Sequence, residues 1–303
     1  MVDLKVSIGS LVLKNPVLTA SGTFGYGTEF RGFFDVGRLG GIITKTITLR
    51  PRTGNPMPRL AETPAGMLNS IGLANVGVDR FLKEKLPRLT GLETAVIVNI
   101  AGETVEEYGV LAERIQPFER VDALEINISC PNVKKGGLAF GTDPEVTRDI
   151  VRAVRSTTVK PVIAKLTPNV TDIVAVARAA AEGGADALSL INTVLGMAVD
   201  VDIGKAILAR CTGGLSGPAI KPIALAKVYQ VRQALSVPIV GIGGIMSGRD
   251  ALEFLMVGAC AVQVGTFHFI HPDGSLRVLR EIERFCIDRG ISRITDWIGS
   301  LNI

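Results

Sequence analysis

Histidine is nearly absent. His268 and His271 are the only two in 303 residues, and they stand close together near the C-terminal end. No HExxH pattern exists, which argues against a zinc-hydrolase site. No serine–histidine pairing has an evident partner either. Both histidines read as local structural or surface residues. A general base, if one is needed, must then be a cysteine, a lysine or a carboxylate. Cysteines number four, Cys130, Cys211, Cys260 and Cys286, and no two form a CxxC pair. That argues against a disulfide framework, a structural zinc site and an iron–sulfur cluster. Aromatic residues are only 5% of a chain that is 47% hydrophobic, so the core must be built from Val, Ile, Leu and Ala. Long apolar runs are missing. The most apolar stretch, FLMVGACAVQVG, covers 12 residues and is too short to cross a bilayer. The N-terminus, MVDLKVSIGS, has no apolar segment of signal length. The net charge is +4 with no dense Lys/Arg run, which suits small anionic ligands rather than nucleic acid. The plain expectation is a cytoplasmic protein that neither spans a membrane nor binds nucleic acid.

What the chain does have is a repeated alternation. Eight short β-branched runs recur: PVLTAS (16–21), GIITKTI (41–47), TAVIVNI (94–100), ALEINIS (123–129), PVIAKLT (161–167), ALSLINT (187–193), PIVGIGG (238–244) and AVQVGTF (261–267). Segments with helical period separate them, among them TVEEYGVLAERI, DPEVTRDIVRAVRS and GRDALEFLMVG. The runs are nearly all apolar, as parallel strands covered on both faces are. Eight of them predict an α/β fold, a (β/α)8 TIM barrel, with a doubly wound open sheet as the alternative. No composition break divides residues 1–303, so one domain is expected. LKVSIGSLVLKN (4–15) alternates around a Gly-Ser turn and predicts an N-terminal β-hairpin. The Pro/Gly-rich segment 50–75 predicts a long loop insertion after strand 2, of the length that usually carries function.

Barrel chemistry gathers at the C-terminal ends of strands. Polar residues fall there: Ser21, Lys45 and Thr46, Asn99, Asn127 and Cys130, Lys165, then Asn192 and Thr193. One such lysine could be a rim residue; two lysines and three asparagines at matching ends are harder to dismiss. After strands 7 and 8, Gly243, Gly244, Gly265 and Thr266 would let backbone N–H groups approach a phosphate, unless these glycines only relieve crowded turns. A Rossmann fingerprint is ruled out by spacing, because Met246 occupies the third glycine position after Gly241 and Gly243. Cys130 opens a glycine-rich stretch that could move as a lid. Lys45 and Lys165 could favour its thiolate. Pattern alone leaves Cys130 open between a buried structural thiol and a catalytic one. Cys260 and Cys286 lie in apolar helical contexts and read as core.

NISCPN, NSIGLAN (69–75), TKTIT (44–48), INT (191–193), GIGGI (241–245) and VGT together resemble class 1 dihydroorotate dehydrogenases, and the likeness runs over essentially the whole chain. The resemblance implies a single FMN-binding barrel that oxidises dihydroorotate to orotate in pyrimidine synthesis. SCPNVKKGGLAFGTDP, INTVLGMAVD and GGLSGPAIKPIAL look like the NAD-linked type, 1B; the fumarate-linked type, 1A, is the near alternative. Cysteine where class 2 members have serine, and a start directly at the hairpin, disfavour class 2 and a quinone acceptor. Type 1B implies a partner subunit carrying FAD and a 2Fe–2S cluster, in a heterotetramer built on a homodimer of this chain. Carried over by residue, Cys130 and Lys45 become the catalytic residues, with Cys130 the base that takes the C5 proton of dihydroorotate while hydride leaves C6 for the flavin. Lys45, Asn69, Ser70, Ile71, Gly72, Leu73, Asn127, Asn132, Asn192 and Thr193 become substrate residues, with Lys45 near the flavin as well. Lys165 is implied at the flavin's N1/O2 edge, and Ser21, Thr46, Asn99, Asn127, Ile191 and Gly217 complete the FMN site, with phosphate at Gly243, Gly244, Gly265 and Thr266. Two other classes compete. One is a flavin-free lyase or isomerase acting on a phosphorylated substrate through a lysine. The other is a non-catalytic subunit.

Overall fold

The computed structural model describes residues 2–129 and 140–302. Cys130, Asn132 and most of the glycine-rich stretch read as a lid lie outside the described residues. In chain order, β1 (Val6–Ile8) and β2 (Leu11–Leu13) form the expected antiparallel hairpin. Gly9 opens its turn at φ 59°, and a Cβ there would stand 2.9 Å from the Cβ of Asp186. Glycine supplies both the left-handed backbone and the clearance against the barrel.

β3 (Val17–Thr19) and β4 (Gly41–Ile43) begin the barrel. The chain then leaves it for a hairpin, β5 (Leu60–Thr63) and β6 (Gly66–Asn69), and comes back through the single turn α1 (Gly77–Arg80). β7 (Ala95–Ile100), β8 (Ala123–Asn127), β9 (Val162–Leu166) and β10 (Ala187–Leu190) follow as barrel strands. Between them run α2 (Val105–Ile115), α3 (Pro144–Arg155) and α4 (Ile173–Glu182). A second excursion after β10 holds β11 (Val194–Met197), β12 (Val199–Asp200), β13 (Lys205–Ala206) and β14 (Thr212–Ser216). Then come α5 (Lys221–Ala234), β15 (Ile239–Ile242), α6 (Gly248–Met256), β16 (Ala261–Val264) and α7 (Gly274–Asp288).

The eight barrel strands close in the order β3-β4-β7-β8-β9-β10-β15-β16, with β16 pairing back to β3 and every neighbour parallel. This is the (β/α)8 barrel expected from the strand–helix alternation. All five positions of β8 and of β9 are buried, which is why these strands do not alternate in sequence. Thr104, Asp143, Asp172 and Ser247 cap α2, α3, α4 and α6 with side-chain oxygens that accept backbone N–H groups. Each such cap contributes about 1 kcal/mol and fixes where a helix leaves the loop above the barrel mouth.

The segment 50–75 departs from the long loop predicted for it. β5 and β6 join β11 and β14 in a four-stranded antiparallel sheet of order β11-β14-β6-β5. Two excursions far apart in the chain thus make one roof over the barrel mouth. The Asn69 amide donates to Gly214 O across a separation of 145 residues (3.1 Å). Local periodicity does not report strands this short, and the β6–β14 pairing that joins the two excursions links residues far apart in the chain. Among the described residues, no helix is long and apolar enough to cross a membrane.

Candidate active site

A cavity of about 850 Å³ lies between the C-terminal ends of the barrel strands and the roof. Strand ends supply one wall: Ser21 after β3, Lys45 and Thr46 after β4, Asn127 at the end of β8, Lys165 within β9, and Ile191, Asn192 and Thr193 after β10. Asn69, Ser70, Ile71, Gly72 and Leu73 face them from the end of β6. Gly217, Gly243, Gly244, Gly265 and Thr266 line the cavity at the starts of the last turns. Every sequence-predicted residue among those described lines this space except Asn99. That side chain is fully buried and donates to Glu125 Oε1 at 2.7 Å.

The polar groups are held by one another. Tyr108, fully buried on α2, donates its hydroxyl to Asn127 O (2.8 Å) and so pins the end of β8. Asn192 Nδ2 donates to Asn127 Oδ1 (3.2 Å) and to Ser129 Oγ (2.8 Å). Asn192 Oδ1 accepts from the Thr193 N–H (2.9 Å). On the roof side Asn55 Nδ2 donates to Ser70 O and Ser70 Oγ at 3.1 and 3.0 Å. The result is an edge of amides and hydroxyls, groups that both donate and accept.

Two lysines reach the cavity. Lys165 is 5% exposed; its ammonium donates to Ser21 Oγ (3.3 Å) and lies 3.7 Å from Glu125 Oε1. Lys45 is half-buried. Burial holds its ammonium below the usual lysine range, Arg59 adds to the effect, and Glu29 partly offsets it. At the glycine end, Gly217, Gly243 and Gly244 have φ of 97°, 129° and 71°. A Cβ at Gly244 would stand 2.7 Å from Lys221 Cβ and 3.0 Å from Gly217 O, so only a bare backbone fits there. Gln263 on β16 lines the cavity, and its Oε1 is buried without a hydrogen-bond partner, as is Asn99 Oδ1.

A sequence model of the dihydroorotate dehydrogenase family matches residues 3–286. The chain belongs to the dihydroorotate dehydrogenase family. Curated relatives share its full length. The protein from Geotalea daltonii is 57% identical over 301 residues, covering 99% of each chain. That from Geobacter sulfurreducens is 56% identical over 301 residues with the same coverage. Both are named dihydroorotate dehydrogenase B (NAD(+)), catalytic subunit. Among solved structures, a DHODH from Eimeria tenella in complex with ferulenol superposes with a TM-score of 0.81 at 26% identity, covering 98% of this chain and 88% of that one.

Around this family's cavity, several residues escaped the sequence reading. Asn55 sits in the segment read as loop. Glu125, Ser189 and Gln263 sit inside runs read as apolar strands, where a charge or amide at a barrel-facing position was the available signal. The other cysteines stand apart from the cavity. Cys211 is exposed, Cys286 is buried on α7, and burial pushes the Cys260 thiol up to about 11.

His268 is structural, as its sequence context implied. It is 2% exposed, its ring packs 4.9 Å from Phe24 and 5.6 Å from Phe30, and Nε2 bonds Ser275 Oγ at 2.8 Å. Burial lowers its pKa to about 4 from 6.5. The folded state thus refuses a proton that the unfolded chain accepts below pH 6.5. Stability is full above that pH and falls as the pH drops towards 4, by roughly 3 kcal/mol for one such group. His268→Gln keeps a hydrogen bond to Ser275 but does not titrate. Urea midpoints at pH 7 and 4.5 are expected to converge in this variant relative to wild type; an unchanged acid loss refutes the assignment.

Proposed function

We propose that this chain oxidises (S)-dihydroorotate to orotate with FMN in the roofed cavity, as the catalytic subunit of an NAD-linked enzyme of pyrimidine biosynthesis. The observation that carries the proposal is the chemistry gathered on the cavity wall. Amides and hydroxyls of Asn69, Asn127, Asn192 and Thr193 line it together with a glycine-lined turn and a buried cation, Lys165, which pairs in register with Asn127. The residues present fit FMN. Gln263 Oε1 is a buried acceptor in need of an N–H. Lys165 offers positive charge, and Gly243, Gly244, Gly265 and Thr266 leave backbone room for a phosphate.

When bound, FMN supplies a two-electron acceptor for the hydrogen at C6. The chain's own residues do the rest. Cys130 takes the C5 proton. Asn69, Asn127, Asn132, Asn192 and Thr193 hold the ring's N–H and C=O edges, and the backbone of Ser70, Ile71, Gly72 and Leu73 receives the carboxylate end. Lys45 stands by both substrate and cofactor. Lys165 would offset negative charge on the reduced cofactor. Ser21, Thr46, Ile191 and Gly217 line the cofactor, and Asn99 buttresses it through Glu125. A partner subunit carrying FAD and a 2Fe–2S cluster would take the electrons on to NAD, in a heterotetramer. The name "catalytic subunit" borne by the relatives supports such a partner.

The test is turnover with dihydroorotate, using NAD or fumarate, by the chain alone and with its co-purifying partner. Yellow protein that releases FMN on denaturation and reduces NAD only with the partner is expected. Fumarate turnover by the chain alone points instead to type 1A. Colourless protein that cannot be reconstituted with FMN overturns the proposal.

One contact tests the substrate end by itself. A Cβ at Gly214 would stand 2.0 Å from Thr193 Oγ1 and 2.6 Å from Thr193 Cβ. Gly214→Ala must therefore displace Thr193. Losing one hydrogen bond to the substrate is expected to raise the KM for dihydroorotate about tenfold with FMN content unchanged. An unaltered KM removes Thr193 from the substrate site.

A further inference from the structure

Among the described residues, Glu125 is the only buried carboxylate and Lys165 the only buried lysine or arginine. They face each other at 3.7 Å in the middle of the barrel. Glu125 is 0% exposed, and its oxygens are fully engaged. Asn99 Nδ2 donates to Oε1 at 2.7 Å; Ser189 Oγ and Gln263 Nε2 donate to Oε2 at 2.9 and 2.5 Å. Three donors and a nearby ammonium thus surround its two oxygens. Its partners come from β7, β9, β10 and β16, so one side chain ties together five of the eight strands.

Stability does not call for this arrangement. Taking two charges out of water costs several kcal/mol per ion, and apolar side chains of similar volume commonly serve a core as well or better. Two consequences of the carboxylate bear on the cavity. First, it sets half the field felt beside Lys165: a ligand there meets an ion pair rather than a bare cation. Second, it takes the N–H groups of Gln263 and Asn99. That fixes both amide orientations and leaves Gln263 Oε1 and Asn99 Oδ1 as the unpartnered acceptors.

We propose that Glu125 is a positioning residue that sets the redox potential of the bound flavin, by moderating the charge of Lys165 and by turning the Gln263 carbonyl outward as an acceptor. This rests on the proposed FMN site. A bare Lys165 would stabilise the extra negative charge of the reduced cofactor more strongly than the ion pair does. Glu125→Gln is therefore expected to raise the flavin potential, shifting the ratio of reduced to oxidised cofactor at a fixed potential at least tenfold, about 30 mV for a two-electron couple.

The experiment is a spectroscopic redox titration of FMN in the holoenzyme for wild type, Glu125→Gln, Lys165→Gln and the double variant. The upward shift is expected in Glu125→Gln. In the Lys165→Gln background the carboxylate has no ammonium to act through and only its hold on Gln263 remains, so the second substitution is expected to shift the potential less than it does in wild type. A Glu125→Gln protein that holds FMN at the wild-type potential, or a lower one, overturns the proposal; so does an equal shift in both backgrounds. If Glu125→Gln does not fold, Glu125→Asp serves. It keeps the charge but withdraws it by one methylene, a smaller upward shift is expected, and an unchanged potential overturns the proposal. Wild-type protein without FMN would instead defeat the cofactor assignment itself, so the two failures are distinct.

Discussion

Cys130→Ala is expected to keep FMN and to slow its reduction by dihydroorotate about a hundredfold to ten-thousandfold at neutral pH, the range a positioned base contributes. The argument runs through the cavity's inventory. Among the described lining residues there is no carboxylate, histidine or cysteine; the only titratable side chains are Lys45 and Lys165. Lys165 is committed to Glu125 and Ser21. His268 is buried against Phe24 and Phe30 and does not line the cavity. Lys45 is thus the one competitor, and its lowered pKa makes it a real one. Ser129, the residue before Cys130 in sequence, lines the cavity and is held by Asn192. The two candidates separate cleanly in single-turnover measurements. If Cys130 is the base, Cys130→Ser recovers part of the rate as pH rises, because a hydroxyl is far less acidic than a thiol. If Lys45 is the base, Cys130→Ala reduces its flavin at the wild-type rate and Lys45→Met does not.

Lys165→Met is expected to destabilise the protein by roughly 3–5 kcal/mol, the usual cost of removing one member of a buried ion pair. Glu125 would stay fully buried with its neutral donors but with no cation within reach. Urea unfolding of FMN-free protein isolates this from any loss of cofactor binding. Adding Glu125→Gln to Lys165→Met is expected to restore much of the loss, because a buried amide carries no charge to compensate. An apoprotein midpoint unchanged by Lys165→Met would mean that water reaches Glu125 and that the pair is not a desolvated one.

The barrel was legible because its strands leave a strong imprint. Parallel strands buried on both faces must be apolar throughout, and capped helices must separate them, so ALEINIS and PVIAKLT stand out from TVEEYGV and DPEVTRD. The roof left no such imprint. β6 and β14 are four and five residues long, and they find each other only through the folded barrel. Strand ends were legible as a ring of amides and lysines because chemistry in this architecture collects there. Glu125 and Gln263 were passed over for the opposite reason: each lies within its strand, inside an apolar run, and what it does depends on residues from other strands. Asn99 shows the same limit. A strand-end position did not reveal that its side chain turns towards Glu125 and away from the cavity.

The roof also divides the cavity by origin. Lys165, Gln263 and the glycine turns belong to the barrel and its immediate loops, whereas Asn69, Ser70 and Gly214 belong to inserted strands. Sequence change in the insertions can therefore reshape the roof while Asn127, Lys165 and Gln263 stay fixed in the barrel. A fold of this kind can retune one wall of its cavity without disturbing the strands that build the other, because the two walls are carried on separate stretches of chain.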